Sequence, residues 1–365
     1  MRPNGNQANN SDAAGRQSRV TSMARWLSRR RGAQAAPAPK LSIVIPVYNA
    51  ESTLKECLTK LHESRYRDFE TILVDDGCTD HSPAIAAEFP VRIVPTSGRV
   101  GPAAARNLGA RMATGEVLFF IDSDVMVRPD TLALLAESFE PGDVDGLCGV
   151  QAAQMRYTNI ASQYKNLWMR WTYLRQTGDV PLFYTTAAAI RREAFLRVGG
   201  FDQGYATPNV EDTAFGQKLA RLGVRVRVHP DLEVEHVKQY SLWTMLKTDF
   251  MRAVSLTRLK LRHPGDIAQN NTSVPSSYMA SVPLATLGTL ALLVGLLFGP
   301  PVLLVTGCAL LSGTIVLNRA FLATIQASEG WGRALGAILL LWLELLVVGV
   351  GVGVGMLSFP FGQRY

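Results

Sequence analysis

Two aspartates one residue apart, Asp122 and Asp124, close the unbroken apolar run Val117-Leu118-Phe119-Phe120-Ile121. Carboxylates so placed suit a hard divalent cation that also takes oxygens from a phosphate, so the Asp-Ser-Asp triplet points to a metal bridging protein and pyrophosphate. The same triplet is also what a solvated turn after a strand looks like. A second acidic pair, Asp75-Asp76, follows another apolar stretch, and a third, Glu211-Asp212, opens a helical pattern. Acidic residues in a first turn are favoured by the helix dipole, so capping is an alternative to chemistry for that third pair. The turn after the first apolar run reads Pro46-Val47-Tyr48-Asn49-Ala50-Glu51, without the glycines of a dinucleotide-binding fingerprint. Phosphate is therefore not expected on a bare backbone loop, and a carboxylate-held metal is the other way to bind it. Cys57, Cys78, Cys148 and Cys308 have no paired spacing, which excludes a disulfide framework or a zinc site and fits a reducing compartment.

The elements that must position these groups are legible in order. Leu41 to Ile45 reads as a strand ended by Pro46, and Ser52 as the cap of a helix whose apolar face is Leu54, Cys57, Leu58 and Leu61. Strands over Phe69 to Val74 and Val91 to Val94 flank a helical stretch to Glu88. An Ala-rich helix opened by Pro102 leads into the Val117 strand. This alternation is the grammar of a parallel sheet with right-handed crossovers, buried on both faces, and both acidic clusters that follow strands fall on one sheet edge. Further strands are expected at Val144 to Val150 and Phe183 to Ile190. A helix at 192 to 198, the turn Gly199-Gly200-Phe201-Asp202, a helix from Val210 and an alternating strand at Leu232 to Glu235 follow.

Composition divides the chain. The first forty residues hold eight Lys or Arg against Asp12, an excess equal to the formal net charge of +7, and the remainder is balanced. That argues against a general nucleic-acid surface, so no nucleic-acid partner is expected, and leaves a local basic arm suited to anionic lipid. Residues 1 to 39 are expected to be disordered; Val20 to Arg31 offers a short basic helix on a membrane surface as the alternative to a solvated arm. With no apolar stretch after the N-terminus, no cleaved signal peptide is expected. Residues 239 to 264 read as an amphipathic interfacial helix, with Trp243, Leu246, Phe250, Met251 and Val254 on one stripe and Lys247, Arg252, Arg258, Lys260 and Arg262 as its basic residues. Residues 278 to 358 read as about three crossings: Met279 to Phe298, Pro301 to Leu317 and Leu335 to Leu357. The third holds Glu344 and the small residues Gly349, Gly351, Gly353 and Gly355 for close helix contact. Glu344 is costly in lipid, and the sequence leaves open a headgroup, a partner helix or an interface position for it. Arg319 and Arg333 put the last link on the side of Arg258 to Arg262, which the distribution of positive charge makes cytoplasmic.

From Leu41 to about His236 the chain resembles the inverting nucleotide-sugar glycosyltransferases of family 2. The motifs that carry the resemblance are SIVIPVYNAE at 42 to 51, ILVDDGCTD at 72 to 80, GPAAARNLGA at 101 to 110, LFFIDSDV at 118 to 125, VGGFD at 198 to 202 and VED at 210 to 212. The resemblance implies an α/β fold of GT-A type, a mostly parallel sheet with flanking helices over residues 40 to 238, and transfer of a sugar from a nucleoside diphosphate donor with Mn²⁺ or Mg²⁺ as cofactor. By position it implies Pro46, Tyr48 and Glu51 lining the nucleotide site, and Asp75 and Asp76 meeting base and ribose. Arg106 and Asn107 would stand near that pocket, with a helix-surface position the alternative for Arg106. Asp122 and Ser123 are implied at the ribose and metal, Asp124 as the metal ligand and Asp212 as general base. His236 stands where some GT-A enzymes add a histidine to the metal; a structural histidine is the alternative.

The Gln-x-x-Arg-Trp motif of processive synthases is absent after Asp212, where His229 to Tyr240 reads HPDLEVEHVKQY. The expectation is a membrane-anchored, multi-pass enzyme that glycosylates a lipid or lipid-linked acceptor from the cytoplasmic face. A polysaccharide synthase, or a catalytically silent nucleotide-sugar-binding subunit of a membrane complex, are the other readings.

Overall fold

Strand β1 (Leu41–Val47) is buried along almost its whole length because it lies inside the sheet, paired in parallel with β2 (Phe69–Asp75) on one side and β4 (Val117–Phe120) on the other. The computed structural model describes residues 40–205, 209–262 and 272–361. The expectations for residues 1 to 39, including the basic helix at Val20 to Arg31, lie outside them.

Parallel β3 (Arg92–Pro95) completes one end of an eight-stranded sheet of order β3-β2-β1-β4-β7-β6-β8-β5. Strand β7 (Ala188–Arg191) runs antiparallel to both β4 and β6 (Gly146–Gln151). β8 (Val226–His236) is parallel to β6 and antiparallel to the edge strand β5 (Val125–Val127). The sheet is thus mixed, with its parallel half at the N-terminal side.

Side-chain alternation divides the core in two. Ile43, Ile45 and Val47 join α1 (Leu54–His62) and α4 (Thr131–Phe139) on one face, through Leu54, Leu58, Leu61, Leu132 and Leu135. Val44, Ile72 and Val74 face α3 (Pro102–Met112), where Gly109 is obligatory: a Cβ there would stand 2.4 Å from Val44 Cγ1. A short helix, α2 (Ser82–Ala86), carries the β2-to-β3 crossover. Ser52 does not cap α1. Thr53 holds the N-cap position without a side-chain bond, and the amides of Thr53 and Leu54 donate to the Ala50 carbonyl. Backbone turn formation replaces the side-chain cap that the sequence suggested.

Beyond the sheet, α5 (Ile160–Leu174), α6 (Arg192–Arg197) and α7 (Glu211–Arg221) precede α8 (Leu242–Arg262). Four more helices follow: α9 (Ser276–Phe298), α10 (Pro301–Leu317), α11 (Arg319–Glu329) and α12 (Trp331–Ser358). Helices α9 and α12, of 23 and 28 residues, are long and apolar enough to cross a membrane; α10 and α11 are bent by 65° at Asn318 and count as a third span only if taken together. The second of the three expected crossings is therefore a broken one. Asn318 donates from Nδ2 to Ser281 Oγ of α9 and to the Thr314 carbonyl, so the bend is hydrogen-bonded.

A single helix, α8, covers most of the segment expected to lie at an interface; Trp243 and Met251 are exposed, and its opposite side packs along α12. Gly351 and Gly355 allow this: a Cβ on either would come within 2.8 Å of Ala253 or Thr257. Glu344 has found protein partners. Tyr164 Oη donates to Glu344 Oε2 at 2.6 Å, and Lys165 Nζ donates to Glu344 Oε1 at 3.3 Å and to Asp249 Oδ1 at 2.6 Å. One buried lysine of α5 thereby joins α8 to α12, beside an aromatic cluster in which Tyr164, Trp168 and Trp171 of α5 stack on Phe321 of α11.

Candidate functional site

Because β1, β2 and β4 are parallel, their C-terminal ends deliver Tyr48, Asp76 and Asp122 to one edge. A cleft of about 920 Å³ opens there, walled opposite by α5 and α8. Pro46, Tyr48 and Asp76 line it at the ends of β1 and β2, Asp122, Ser123, Asp124 and His236 line it beyond β4 and β8, and Arg106, Glu211, Asp212 and Arg252 complete the lining.

At the β1 and β2 end, Asp76 is buried and accepts from the amides of Val100 and Gly101 at 2.8 and 2.9 Å, which fixes the loop before α3. Arg99 of that loop lies 4.1 Å over the Tyr48 ring, a stacked platform at the cleft wall. Three residues that the resemblance placed here are engaged elsewhere and do not line the cleft. Glu51 accepts from His81 N and Nδ1, Asp75 accepts from the Cys78 amide, and Asn107 clamps Phe201 through both its backbone groups. Each is a loop or turn clasp. Gly200, at φ +66°, can take the left-handed turn beside Asn107 where a side chain would collide with Asn107 Oδ1.

Arg106 is no surface residue. Only 4% exposed, it donates from Nη2 to Asp122 Oδ1 at 2.7 Å and from Nη1 to Glu211 Oε1 at 3.1 Å. It thus ties the end of β4 to the start of α7. Glu211 Oε2 also accepts from the Asn209 amide. With Glu211 held this way, neighbouring Asp212 accepts at Oδ1 from the Thr213 amide and faces the cleft. Burial, then the adjacent Glu211 charge, push the Asp212 carboxyl up to about 6, which puts a base near neutrality.

Asp124 Oδ2 stands 3.3 Å from His236 Nε2, and His236 Nδ1 is 3.2 Å from Gln151 Nε2. Burial opposes ionisation of Asp124, but the His236 imidazole and the Lys238 charge hold its carboxyl below the usual range. Among the described residues no group of three or more His, Cys, Asp or Glu is gathered for a metal. The donor set still fits Mn²⁺ or Mg²⁺ at a nucleotide site: Asp124 and His236 offer two ligands, and such ions take the remainder from phosphate oxygens and water. Asp122, with Oδ1 committed to Arg106, is the weaker third.

Several cleft residues escaped the sequence reading. Arg252, grouped there among the basic residues of an interfacial helix, lines the cleft with Lys247. Lys165, Asn166 and Ser162 contribute a polar stripe of α5 at helical spacing, a signal present in the sequence but set within an aromatic helix. Glu211, for which capping the helix dipole was the alternative, is a buried partner of Arg106.

Comparison with known proteins bears on this geometry. Residues 42–199 match the family model described as Glycosyl transferase family 2. Glycosyltransferase GlyG of Streptococcus pneumoniae is 34% identical over 114 residues, 30% of this chain and 38% of that protein. The pre-mycofactocin glycosyltransferase of Mycobacterium tuberculosis is 28% identical over 237 residues, 62% of this chain and 49% of that one. The matches thus span less than half the length of either relative. Among solved structures, the mannosyltransferase PcManGT from Pyrobaculum calidifontis, in complex with GDP-Man and Mn²⁺, superposes with a TM-score of 0.54 at 23% identity, covering 90% of this chain and 91% of that chain. That likeness establishes the GT-A fold.

Proposed function

We propose that this chain, which carries a family 2 glycosyltransferase domain, transfers a sugar from a nucleoside diphosphate sugar to a lipid or lipid-linked acceptor, with inversion at the anomeric carbon. One observation carries the reading: Asp124 with His236 and Asp212 with its raised carboxyl face the same cleft, the first able to hold a metal and diphosphate and the second to take a proton.

In this reading the stacked Tyr48 and Arg99 flank the base of the donor, and Asp76 and Asp122 accept from its base and ribose. Asp124 and His236 hold the cation. Mn²⁺ or Mg²⁺, when bound, supplies positive charge to the departing diphosphate, so no acid is needed on the leaving group. Asp212 accepts the acceptor hydroxyl's proton as that oxygen attacks from the face opposite the diphosphate. Arg106 positions both ends by holding Asp122 and Glu211.

The two long apolar helices support membrane anchoring. Arg258, Arg319 and Arg333 support a cytoplasmic face for the catalytic domain. A lipid acceptor is supported by α8, which walls the cleft while packing along α12. Membranes containing the protein, incubated with a panel of radiolabelled nucleotide sugars and extracted with organic solvent, test the proposal. Label in the organic phase is expected for one donor; label confined to water-soluble products of an active enzyme excludes the lipid acceptor.

A further inference from the structure

The cleft has cations of two kinds. Arg106 and Lys165 each hold two carboxylates. Arg252 does not: among the described residues it forms no ion pair, and its polar contact is Met169 Sδ at 4.0 Å. It is nevertheless partly buried and lines the same cleft as Asp212, close enough for their charges to be felt, with no direct bond between them. A guanidinium withdrawn from water without a counter-ion is costly unless an anion completes it. Lys247, five residues earlier on the same helix, also lines the cleft; it is exposed and has no ion pair among the described residues.

Position separates this pair from the donor's diphosphate. Lys238 is the cation whose charge acts on Asp124, at the metal end, whereas Arg252 lies with Asp212, Tyr184 and Tyr173. A base is needed there for a hydroxyl, which must lose a proton on attack; a phosphate oxygen would already be ionised and would need none. The gap between Asp212 and Arg252 therefore suits one molecule presenting both a hydroxyl and an anion. The helix carrying Arg252 packs through Ala253 and Thr257 on Gly351 and Gly355 of α12, which brings this end of the cleft against an apolar helix long enough to span a bilayer.

We propose that Arg252 and Lys247 form a phosphate subsite beside Asp212, and that the acceptor is a phospholipid with a polyol head group, its hydroxyl directed to Asp212 and its phosphate to Arg252. This rests on the glycosyltransferase reading above. The hydroxyl oxygen forms the new bond to the anomeric carbon while the bond from that carbon to the donor's diphosphate breaks, its electron pair leaving with the diphosphate. The hydroxyl proton passes to Asp212. The phosphodiester of the acceptor stays intact.

The test uses the full chain in detergent micelles, with donor hydrolysis and nucleoside diphosphate binding measured alongside transfer. Acceptors are phosphatidylglycerol and phosphatidylinositol (hydroxyl and phosphate), diacylglycerol (hydroxyl alone), phosphatidic acid (phosphate alone) and glycerol 3-phosphate (the same groups without a lipid). A polyol phospholipid is expected to exceed diacylglycerol at least tenfold in kcat/KM, with no transfer to phosphatidic acid. Arg252→Gln is expected to erase most of that preference through the acceptor KM, Arg252→Lys to restore part of it, and nucleoside diphosphate affinity to stay within twofold, which also reports intact folding. Glycerol 3-phosphate used as well as the lipids supports the phosphate subsite and assigns it a soluble ester. Equal use of diacylglycerol, transfer to phosphatidic acid, or loss of nucleotide affinity in Arg252→Gln each overturns the proposal. Hydrolysis of a donor with transfer to none of these acceptors also overturns it and leaves the glycosyltransferase reading standing; failure to use any donor removes that reading itself.

Discussion

The Arg106 guanidinium lies 2.7 Å from the Asp122 carboxylate, and both side chains sit where β4 hands over to the cleft. The same guanidinium reaches Glu211 on the far side, so one buried cation serves a buried carboxylate and a partly exposed one.

Replacing Arg106 by Ala leaves Asp122 and Glu211 as withdrawn carboxylates without a cation. A loss of about 3 to 5 kcal/mol of stability is expected, the scale for breaking a buried pair from one side. Lys at this position cannot present two nitrogens in a planar fork and should recover less than half of it. Thermal unfolding of the detergent-solubilised protein at one pH measures both.

Asp212 must be ionised to accept a proton. Its carboxyl is raised to about 6 in the folded protein, first by burial and then by Glu211, so transfer is expected to fall tenfold per pH unit below that value and to level off above it. Asp212→Asn should lower transfer by about a hundredfold or more while leaving donor binding unchanged, and the limb near pH 6 should vanish from the residual rate. A persisting limb in that variant assigns the titration to another group.

Asp124→Ala is expected to abolish the Mn²⁺ dependence of nucleoside diphosphate binding, and His236→Ala to weaken it by about tenfold, the lower end of what one group at a metal site contributes. Calorimetric titration with and without Mn²⁺ separates the two. Wild-type metal dependence in Asp124→Ala removes that residue from the ligand set.

Lys165→Met strands Asp249 and Glu344 together in an apolar setting. An expected loss of about 3 to 5 kcal/mol follows from the same rule that governs Arg106. Glu344→Gln keeps an oxygen for Tyr164 and leaves Lys165 paired with Asp249, so its cost should be no more than about 1.5 kcal/mol, near that of one ordinary hydrogen bond. Equal destabilisation by both variants in thermal melts would mean that the Glu344 charge itself is required.

The sheet and its working edge were readable because β1, β2 and β4 are parallel and covered on both faces, so each carries a run of consecutive apolar residues (Ile43 to Ile45, Ile72 to Val74, Val117 to Phe120) ahead of its polar turn. Asp122, Asp124 and Asp212 stand out because a carboxylate abruptly ends or opens a periodic segment. Arg252 does not stand out, since an arginine on a basic helix carries the same local signature whether it faces water or a cleft; only the packing of α8 on α12 decides which. Glu51, Asp75 and Asn107 are the opposite case. They sit within the motifs that carry the family resemblance, yet their hydrogen bonds shape the loops beside the cleft. The cap assigned to Ser52 failed for a related reason, because a backbone turn from Ala50 satisfied the same amides. The second crossing read as straight because nothing in its composition marks Asn318 as a corner.

Helix α8 has two loyalties. Through Gly351 and Gly355 its backbone is pressed against α12 with no side chain between to absorb movement, and through Lys247 and Arg252 it forms one wall of the cleft. A 28-residue apolar helix answers a thicker or thinner bilayer by changing its tilt. Seated so closely, α8 follows it. If α12 spans a bilayer, the spacing between Arg252 and Asp212 would then respond to the thickness of the surrounding lipid, and the proposed transfer to lipid would be graded by the membrane that supplies it.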